Sequence, residues 1–175
     1  MRHLVASGLA QELLAAAARG QRIHGVCGGL QLLGRSIRDP DGLEGGDQRG
    51  RGLLELETVL EREKVTGWRT ARDAFWNVGA TVRGYEIHHG RTRAGKSAEP
   101  ILSDGLGWRT GSVSAVVLHG IAEDTEWRRA FLESLGWRGT PRDWGAELDR
   151  ELDRVARHVE EAWDVEEFAP ARGRS

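Results

Sequence analysis

The single cysteine of the chain lies in a segment that suits a catalytic nucleophile. Gly25-Val26-Cys27-Gly28-Gly29 falls between a predicted strand and a predicted helix, where a sharp turn can expose a reactive side chain above a sheet. The positive end of the following helix would favour the thiolate. The backbone N–H of Gly28 would point toward the oxyanion of a tetrahedral intermediate. The pattern predicts a nucleophilic Cys27, and the alternative is a small apolar residue after a buried strand.

Three histidines are candidates for a catalytic or binding role beside this thiol. His119 ends the clearest buried strand pattern of the chain, residues 112–120 (SVSAVVLHG). Functional groups in open α/β sheets lie at the carboxyl ends of strands, so His119 is a candidate general base, the alternative being a surface histidine. His88 and His89 are adjacent on another predicted strand and must point to opposite faces. They therefore cannot both face one site.

Two other kinds of site deserve comparison with the nucleophile. A zinc site could combine His24, Cys27 and one histidine of the pair at 88 and 89, but no ligand-pair spacing supports it. Residues 90–97 (GRTRAGKS) formally fit a phosphate-binding loop after a strand. That motif needs a helix beginning at Lys96, and Pro100 would break such a helix in its first turn. Both interpretations are therefore weaker than a nucleophile at Cys27.

The elements that must position these residues alternate between helix and strand along one predicted domain, residues 1–175, so the fold class is α/β. Apolar residues at helical spacing also predict a helix over residues 30–37. Residues 38–52 are rich in Gly and Asp and predict a loop, and residues 91–111 show no regular pattern. The predicted helices are 4–18, 125–136 and 145–163, and the predicted strands are 21–27, 53–60, 81–90 and 112–120.

Composition excludes several functional classes. The net charge is -2, so no overall basic field indicates nucleic acid or an anionic membrane as a partner. No apolar stretch reaches the length of a membrane helix. One cysteine excludes an internal disulfide and suits a reducing, cytoplasmic compartment. The seven tryptophans have no functional interpretation at this level.

Taken together, four segments resemble one family in order along the chain. They are HGVCGGLQLLG (24–34), DPDGLEG (39–45), RGYEIHHGRT (83–92) and LHGIAEDTEWRRAFL (118–132). Each is similar to a segment of the glutamine amidotransferase domain of cobyric acid synthases. The resemblance implies a class I glutamine amidotransferase-like, flavodoxin-like three-layer fold.

The resemblance also implies a reaction. Glutamine would be hydrolysed through a Cys-glutamyl thioester, with Cys27 as nucleophile, His119 as base and Gly28 as oxyanion donor. Gln31 and His88 would contact the substrate. The ammonia would pass to a separate synthetase domain that uses ATP and magnesium to amidate corrinoid carboxylates in cobalamin biosynthesis. No cofactor or metal is expected in the amidotransferase domain itself.

The chain departs from the pattern of related enzymes at several points. Typical class I glutaminases place a glutamate two residues after the catalytic histidine, where this chain has Ile121. A Cys–His dyad is therefore expected, with Glu123 only a weak candidate to orient His119. The resemblance further implies that the synthetase domain and the first amidotransferase strands, which carry a second oxyanion donor, are absent. The alternatives are an inactive truncated remnant, a partner-binding fragment, or an amidotransferase subunit for a cell-wall lipid precursor.

Overall fold

The computed structural model describes residues 6–163. Strands and helices are mixed along this part of the chain, as the α/β prediction requires. In chain order the elements are α1 Leu9–Ala18, β1 Ile23–Val26, α2 Gly28–Leu33, β2 Ser36–Arg38, β3 Gln48–Arg49, β4 Leu56–Arg72, β5 Thr81–Ala94, β6 Glu99–Leu102, β7 Gly107–Thr110, β8 Val113–Val116, α3 Thr125–Ser134 and α4 Trp144–Ala162, with 3₁₀ turns at Ser103–Gly105 and Ile121–Glu123.

The strands form two four-stranded sheets. The first has the order β1-β8-β7-β6, and the second has the order β3-β2-β4-β5. β1 and β8 are parallel, with Ile23 opposite Val113 and Val26 opposite Val116. Their carboxyl ends therefore lie side by side, which brings the residues that follow Val26 and Val116 to one edge of the sheet.

The second sheet is dominated by the antiparallel pair β4 and β5. The pairing runs from Leu56 opposite Ala94 to Arg72 opposite Thr81, with a shift of register between Leu60 and Val65. Side chains alternate between faces along a strand, and Leu56, Thr58 and Leu60 are buried at alternate positions. This face packs into the core that the two sheets share.

That core is built mainly from aliphatic side chains of α2 and of both sheets. One contiguous cluster of buried residues includes Leu30, Leu33, Leu56, Ile101, Val116, Leu118 and Trp127. Burial of a leucine or isoleucine side chain stabilises a fold by roughly 1.5–3 kcal/mol. The cluster therefore fixes α2, and with it the turn at Cys27, against β1 and β8.

An aromatic group closes one side of this core. Trp127 and Phe131 of α3 stack with ring centroids 5.1 Å apart, and Trp76 meets Trp127 edge-on at 5.1 Å. The ring of His24 lies 5.3 Å from Trp76. Two of the seven tryptophans are thus accounted for by packing.

Several predicted elements are confirmed. The first helix starts at Leu9, after Gly8 at a φ of 79°, and residues 4 and 5 of the predicted range 4–18 lie outside the described part of the chain. The strand predicted at 112–120 is β8, and the helices predicted near 125 and 145 are α3 and α4. Among residues 6–163, no helix combines the length and apolarity needed to cross a membrane.

Other predictions were wrong in their extent. The helix predicted across 30–37 ends at Leu33, and Ser36–Arg38 is β2. Gly34 packs so closely on β4 that an added Cβ would lie 2.9 Å from the carbonyl oxygen of Leu56. Such close backbone contact turns the chain from α2 into the second sheet.

The irregular segments also contain strands. β4 continues to Arg72 instead of ending near residue 60, and β6 and β7 lie inside the stretch 91–111. Most residues of β4 between 61 and 70 are exposed on both faces. A strand that buries neither face has no apolar alternation, so its sequence carries no strand signal.

Candidate functional site

Cys27 occupies the turn between β1 and α2, as predicted. Its φ is 51° and its ψ is -106°, a conformation that L side chains rarely adopt. The backbone N–H of Cys27 donates to the carbonyl of Val116 at 2.8 Å, which ties the turn to β8. Strain of this kind costs on the order of 1–3 kcal/mol and persists where the surrounding structure holds it. The conformation is that of a nucleophile elbow.

Gly25 shows why small residues are needed before the turn. A Cβ at this position would lie 2.7 Å from Cδ1 of Leu33 and 2.8 Å from the carbonyl carbon of Gly29. The start of α2 therefore packs directly on the backbone of β1. Any larger residue at 25 would push the helix, and the cysteine at its start, away from the sheet.

The electrostatic surroundings of the thiol differ from the expectation. Burial is the largest influence and raises the pKa of Cys27, the N–H of Gly28 acts in the opposite direction, and the carboxylate of Glu44 raises the pKa further. α2 has only six residues, so the effect of its positive end is small. Helix polarity alone therefore does not give a thiolate, and ionisation of Cys27 needs a proton acceptor.

Glu44 reaches the site through an ordered loop between β2 and β3. Asp39 is buried, and its carboxylate accepts N–H bonds from Leu43, Glu44 and Gly46 at 2.7–2.9 Å. Burial would raise the pKa of Asp39, but these backbone N–H groups, with that of Gly42, lower it overall. The loop predicted at 38–52 is thus fixed by one carboxylate, and it places Glu44 near Cys27.

A small cavity joins Cys27 to two other predicted site residues, Gln31 and His88. Gly90 leaves space for the side chain of Gln31, because a Cβ at position 90 would lie 2.9 Å from Nε2 of Gln31. The sequence predicted the three residues as one site, and the fold brings them together. The residues lining the cavity are Cys27, Leu30, Gln31, His88, Gly90, Thr92 and Val117.

His88 is held in place by a buried carboxylate. Its Nε2 lies 3.0 Å from Oε1 of Glu86, and Oε2 of the same group accepts from Nε of Arg69 at 2.6 Å. Glu86 is only 7% exposed. Glu86 and His88 are two residues apart on β5 and so share its inner face. The sequence analysis missed Glu86 as a site residue, although this spacing of two contained the signal.

An open cleft continues from the cavity along β4 and β5. It has a volume of about 660 Å³ and shares His88, Gly90, Thr92 and Val117 with the cavity at Cys27. Arg69 and Glu86 lie in its wall and supply both signs of charge. The cleft offers space for a small polar molecule whose end reaches the thiol.

His119 follows β8 and contacts the second sheet. Its backbone exchanges two hydrogen bonds with Tyr85, at 2.8 and 2.9 Å, and its ring stacks on the Tyr85 ring at a centroid distance of 5.2 Å. Gly84 permits this approach, because a Cβ there would lie 2.6 Å from the His119 carbonyl oxygen. Tyr85 and Gly84 were not predicted as site residues.

Among residues 6–163, no carboxylate binds Nε2 of the His119 imidazole. Within residues 6–163, its buried Nε2 has no hydrogen-bond partner, so Glu123 does not bind that atom. The Glu123 carboxylate lies instead near Gly120, and Ile121 is buried in the core. His119 does not line the cavity at Cys27, so the geometry leaves its role as base a prediction.

The weaker interpretations of the sequence do not fit the structure. His24 turns to Ser114, with Nδ1 2.9 Å from its hydroxyl, and His89 turns to the carbonyl of Glu61. Across the described part of the chain, no group of three or more potential metal ligands comes together. The zinc set of the sequence analysis is therefore not assembled.

The apparent phosphate loop is not a loop around an anion. Gly90–Ala94 belongs to β5, and no helix begins at Lys96. The N–H and hydroxyl of Ser97 both donate to Oε2 of Glu55, at 2.8 and 2.7 Å. A carboxylate thus occupies the donors that a phosphate would need.

Comparison with known proteins agrees with this geometry. The family model of the CobB/CobQ-like glutamine amidotransferase domain matches residues 1–127. The chain belongs to this family. Cys27, His88 and His119 all lie within the matched part. The family assignment therefore covers the elbow, the cavity and the cleft, whereas α4 lies outside it.

Curated relatives extend the resemblance along more of the chain. Cobyric acid synthase of Caulobacter sp. (strain K31) is 39% identical over 97% of this chain and 36% of its own length. Cobyric acid synthase of Mycobacterium marinum is 43% identical over 93% of this chain and 32% of its own length. This CobB/CobQ-like domain thus spans about a third of the curated relatives it matches.

A solved structure supports the fold. A crystal structure of a glutamine amidotransferase superposes with a TM-score of 0.60 at 22% identity, covering 77% of this chain and 71% of that one. The predicted class I glutamine amidotransferase-like α/β fold is confirmed at the level of architecture. Within it, the strands of this CobB/CobQ-like domain divide between two sheets that meet at the candidate site.

Proposed function

We propose that this chain hydrolyses glutamine to glutamate and ammonia, with Cys27 as the nucleophile. The observation that carries the proposal is the strained turn of Cys27, whose side chain lines one cavity with Gln31 and His88. A structural cysteine needs no such conformation. An elbow is the usual means of aiming a nucleophile at a substrate carbonyl.

The first half of the reaction forms a thioester. A base takes the thiol proton, and the sulfur attacks the side-chain carbonyl carbon of glutamine, moving an electron pair onto the oxygen. The N–H of Gly28, the first residue of α2, would donate to this oxyanion. Collapse of the intermediate breaks the C–N bond, and the nitrogen leaves as ammonia once it is protonated. Water then releases glutamate and restores the thiol.

We assign the base to His119, as the family resemblance implies. It follows the strand parallel to β1, so it lies at the same sheet edge as Cys27. Its ring is stacked on Tyr85 and its Nε2 is unoccupied by any partner within residues 6–163. An imidazole nitrogen without a hydrogen-bond partner keeps a lone pair that can accept a proton.

The cleft beside the thiol suits the remainder of the substrate. Glutamine carries an α-carboxylate and an α-ammonium group, and Arg91 and Asp104, which have opposite charges, line the cleft beside the Arg69–Glu86 pair. Gln31 and His88 would contact the end of the substrate that reaches Cys27. This is the extent of the substrate recognition that we assign to the chain.

The ammonia has a proposed use outside this chain. The curated relatives are named cobyric acid synthases, and about two thirds of each lies beyond the match. We propose that a synthetase domain or subunit accepts the ammonia and uses ATP and magnesium to amidate corrinoid carboxylates in cobalamin biosynthesis. The work would take place in the cytoplasm, with no nucleic acid or membrane as partner.

The test is glutamate release from glutamine by the purified chain, with Cys27→Ser as its control. Serine is nearly the same size as cysteine and should leave the folded state stable while removing the thiol nucleophile. We expect release by the original chain and none above background by the variant. A folded Cys27→Ser chain that still releases glutamate at the original rate contradicts the assignment.

A second variant tests the base. His119→Gln should lower the rate constant of glutamine turnover by about 100-fold or more, the usual size of a general acid–base contribution. Circular dichroism of the same sample checks that the fold is intact. An unchanged turnover rate in this variant means that another group accepts the proton.

A further inference from the structure

The site contains a carboxylate–imidazole pair, but not where the related enzymes carry theirs. Position 121, two residues after His119, is a buried isoleucine. The pair is formed instead by Glu86 and His88 on β5, with 3.0 Å between Oε1 and Nε2. Arg69 holds the other carboxylate oxygen at 2.6 Å, so Glu86 has a fixed orientation.

The position of His88 gives this pair access to the reaction. His88 lines both the small cavity at Cys27 and the open cleft. Its Nε2 is engaged by Glu86, so Nδ1 is the ring nitrogen that would exchange a proton with a substrate. His88 stands on β5, whereas Gly28 stands on α2 beside the sulfur. When Cys27 attacks a substrate carbonyl, the N–H of Gly28 on α2 would therefore serve the oxyanion, and the imidazole of His88 would approach from β5.

We propose that His88, positioned by Glu86, is the general acid that protonates the departing ammonia. The inference rests on the proposed glutaminase activity. In this step the C–N bond of the tetrahedral intermediate breaks, and its electron pair stays on nitrogen. The nitrogen takes the proton from Nδ1 of the His88 imidazolium. The oxyanion electrons re-form the carbonyl of the thioester, and the neutral imidazole later recovers a proton from solvent.

The two histidines then have different tasks. His119 accepts the thiol proton and releases it to solvent, and it later takes a proton from the attacking water and returns it to the sulfur. His88 donates a proton to nitrogen. The buried carboxylate of Glu86 accepts a hydrogen bond from Nε2 and so fixes the orientation of the His88 ring. Arg69 keeps that carboxylate in place, so Glu86 and Arg69 are positioning residues.

The experiment compares two substrates that differ only in their need for an acid. An amide nitrogen cannot leave without a proton, whereas p-nitrophenolate leaves as an anion. The substrates are glutamine and the γ-p-nitrophenyl ester of glutamate, with background hydrolysis measured on Cys27→Ser. His88→Gln should lower kcat for glutamine by about 100-fold or more and change kcat for the ester by less than about 3-fold.

Matched variants separate this effect from loss of structure. His89→Gln changes the adjacent imidazole, which faces away and bonds the Glu61 carbonyl, and should leave both rates unchanged. Glu86→Gln should lower the glutamine rate by about 10-fold while sparing the ester, because the ring loses the carboxylate that positions it. His119→Gln should lower both rates. Alkylation of the single cysteine by iodoacetamide checks that the elbow is intact in each variant.

The outcomes are distinct. Loss of glutamine turnover with retained ester turnover in His88→Gln supports the proposal. Equal losses for both substrates, or no loss for either, overturn it while leaving the proposed function in place. If the unmodified chain turns over neither substrate in a Cys27-dependent way, the proposed function fails and this inference fails with it.

Discussion

His24 shows how burial decides the chemistry of a single residue. It lies three residues before Cys27 on β1, yet its ring contacts Trp76, Trp127 and Phe131 and its Nδ1 is paired with Ser114. Burial lowers the pKa of His24 to about 4. The side chain is therefore neutral and structural at physiological pH, although its sequence position beside Cys27 suggested a possible ligand.

This environment predicts a dependence of stability on pH. Between the pKa of about 4 in the folded chain and the ordinary value of 6.5, the unfolded chain binds a proton that the native chain does not. Stability should therefore fall as pH drops through this window, by at most about 3 kcal/mol from this residue. His24→Gln should show a smaller fall in melting temperature between pH 7 and pH 5 than the unmodified chain. Parallel curves for the two proteins would show that His24 takes up its proton without unfolding.

Glu44 offers a second prediction at the scale of one residue. Its carboxylate raises the pKa of Cys27, because a negative charge disfavours the nearby thiolate. Glu44→Gln should lower that pKa and speed alkylation of Cys27 by iodoacetamide at pH 7. The chain has one cysteine, so the rate measured by mass spectrometry belongs to this thiol alone. A slower rate in the variant would give Glu44 a different role.

The sequence was most informative where backbone conformation restricts residue choice. Gly25 before Cys27 predicted the elbow, because a Cβ there would collide with Leu33 and Gly29. His88 was predicted as a substrate contact, but its partner Glu86 was missed. A hydrogen bond between alternate residues of one strand has no sequence signature beyond their spacing. The contact of Tyr85 with His119 joins residues distant in sequence, so no local pattern could reveal it.

Among the elements, the loop between β4 and β5 depends on one buried carboxylate. Asp73 is 1% exposed and accepts the backbone N–H groups of Phe75, Trp76 and Asn77 at 2.7–3.1 Å. The loop delivers Trp76 to the aromatic group of the core. The sequence analysis missed the full length of β4 because the second half of this strand buries neither face. The loop that follows, with its hydrogen bonds to Asp73, attaches that half of the strand to the core.

Removal of the Asp73 carboxylate should therefore be costly. Asp73→Ala leaves three backbone donors without their acceptor, and each such buried donor costs about 1–3 kcal/mol. Partial access of water to the loop should limit the total to about 2–4 kcal/mol. Urea unfolding followed by tryptophan fluorescence measures the change, with the exposed Asp149→Ala on α4 as a control. A loss below about 1 kcal/mol would show that the loop folds without this residue.

At the scale of the whole molecule, α4 differs from every other described helix. It has no buried residue, and its apolar side chains at 144, 148, 152, 155 and 159 are all exposed. The match to the family ends at residue 127, before this helix. The sequence predicted its amphipathic pattern correctly, but such a pattern does not say whether the apolar face is covered within the same chain.

α4 should accordingly add little to the stability of the remainder. A chain that ends at residue 140 should melt within about 2 °C of the full chain, since exposed residues rarely contribute more than about 0.5 kcal/mol. Differential scanning calorimetry at low protein concentration measures this. A fall of more than about 5 °C would show that the helix packs on the domain in solution.

The paired backbone of Tyr85 and His119 links the second sheet to the first beside the site. Each of these two amide protons is held by the opposite strand's carbonyl, so neither exchanges with deuterium unless the sheets separate there. The deuterium exchange rates of these two protons therefore report how often the two sheets separate beside the open cleft. The measurement needs no substrate or label, and the exchange of both protons should slow once a glutamine analogue is bound.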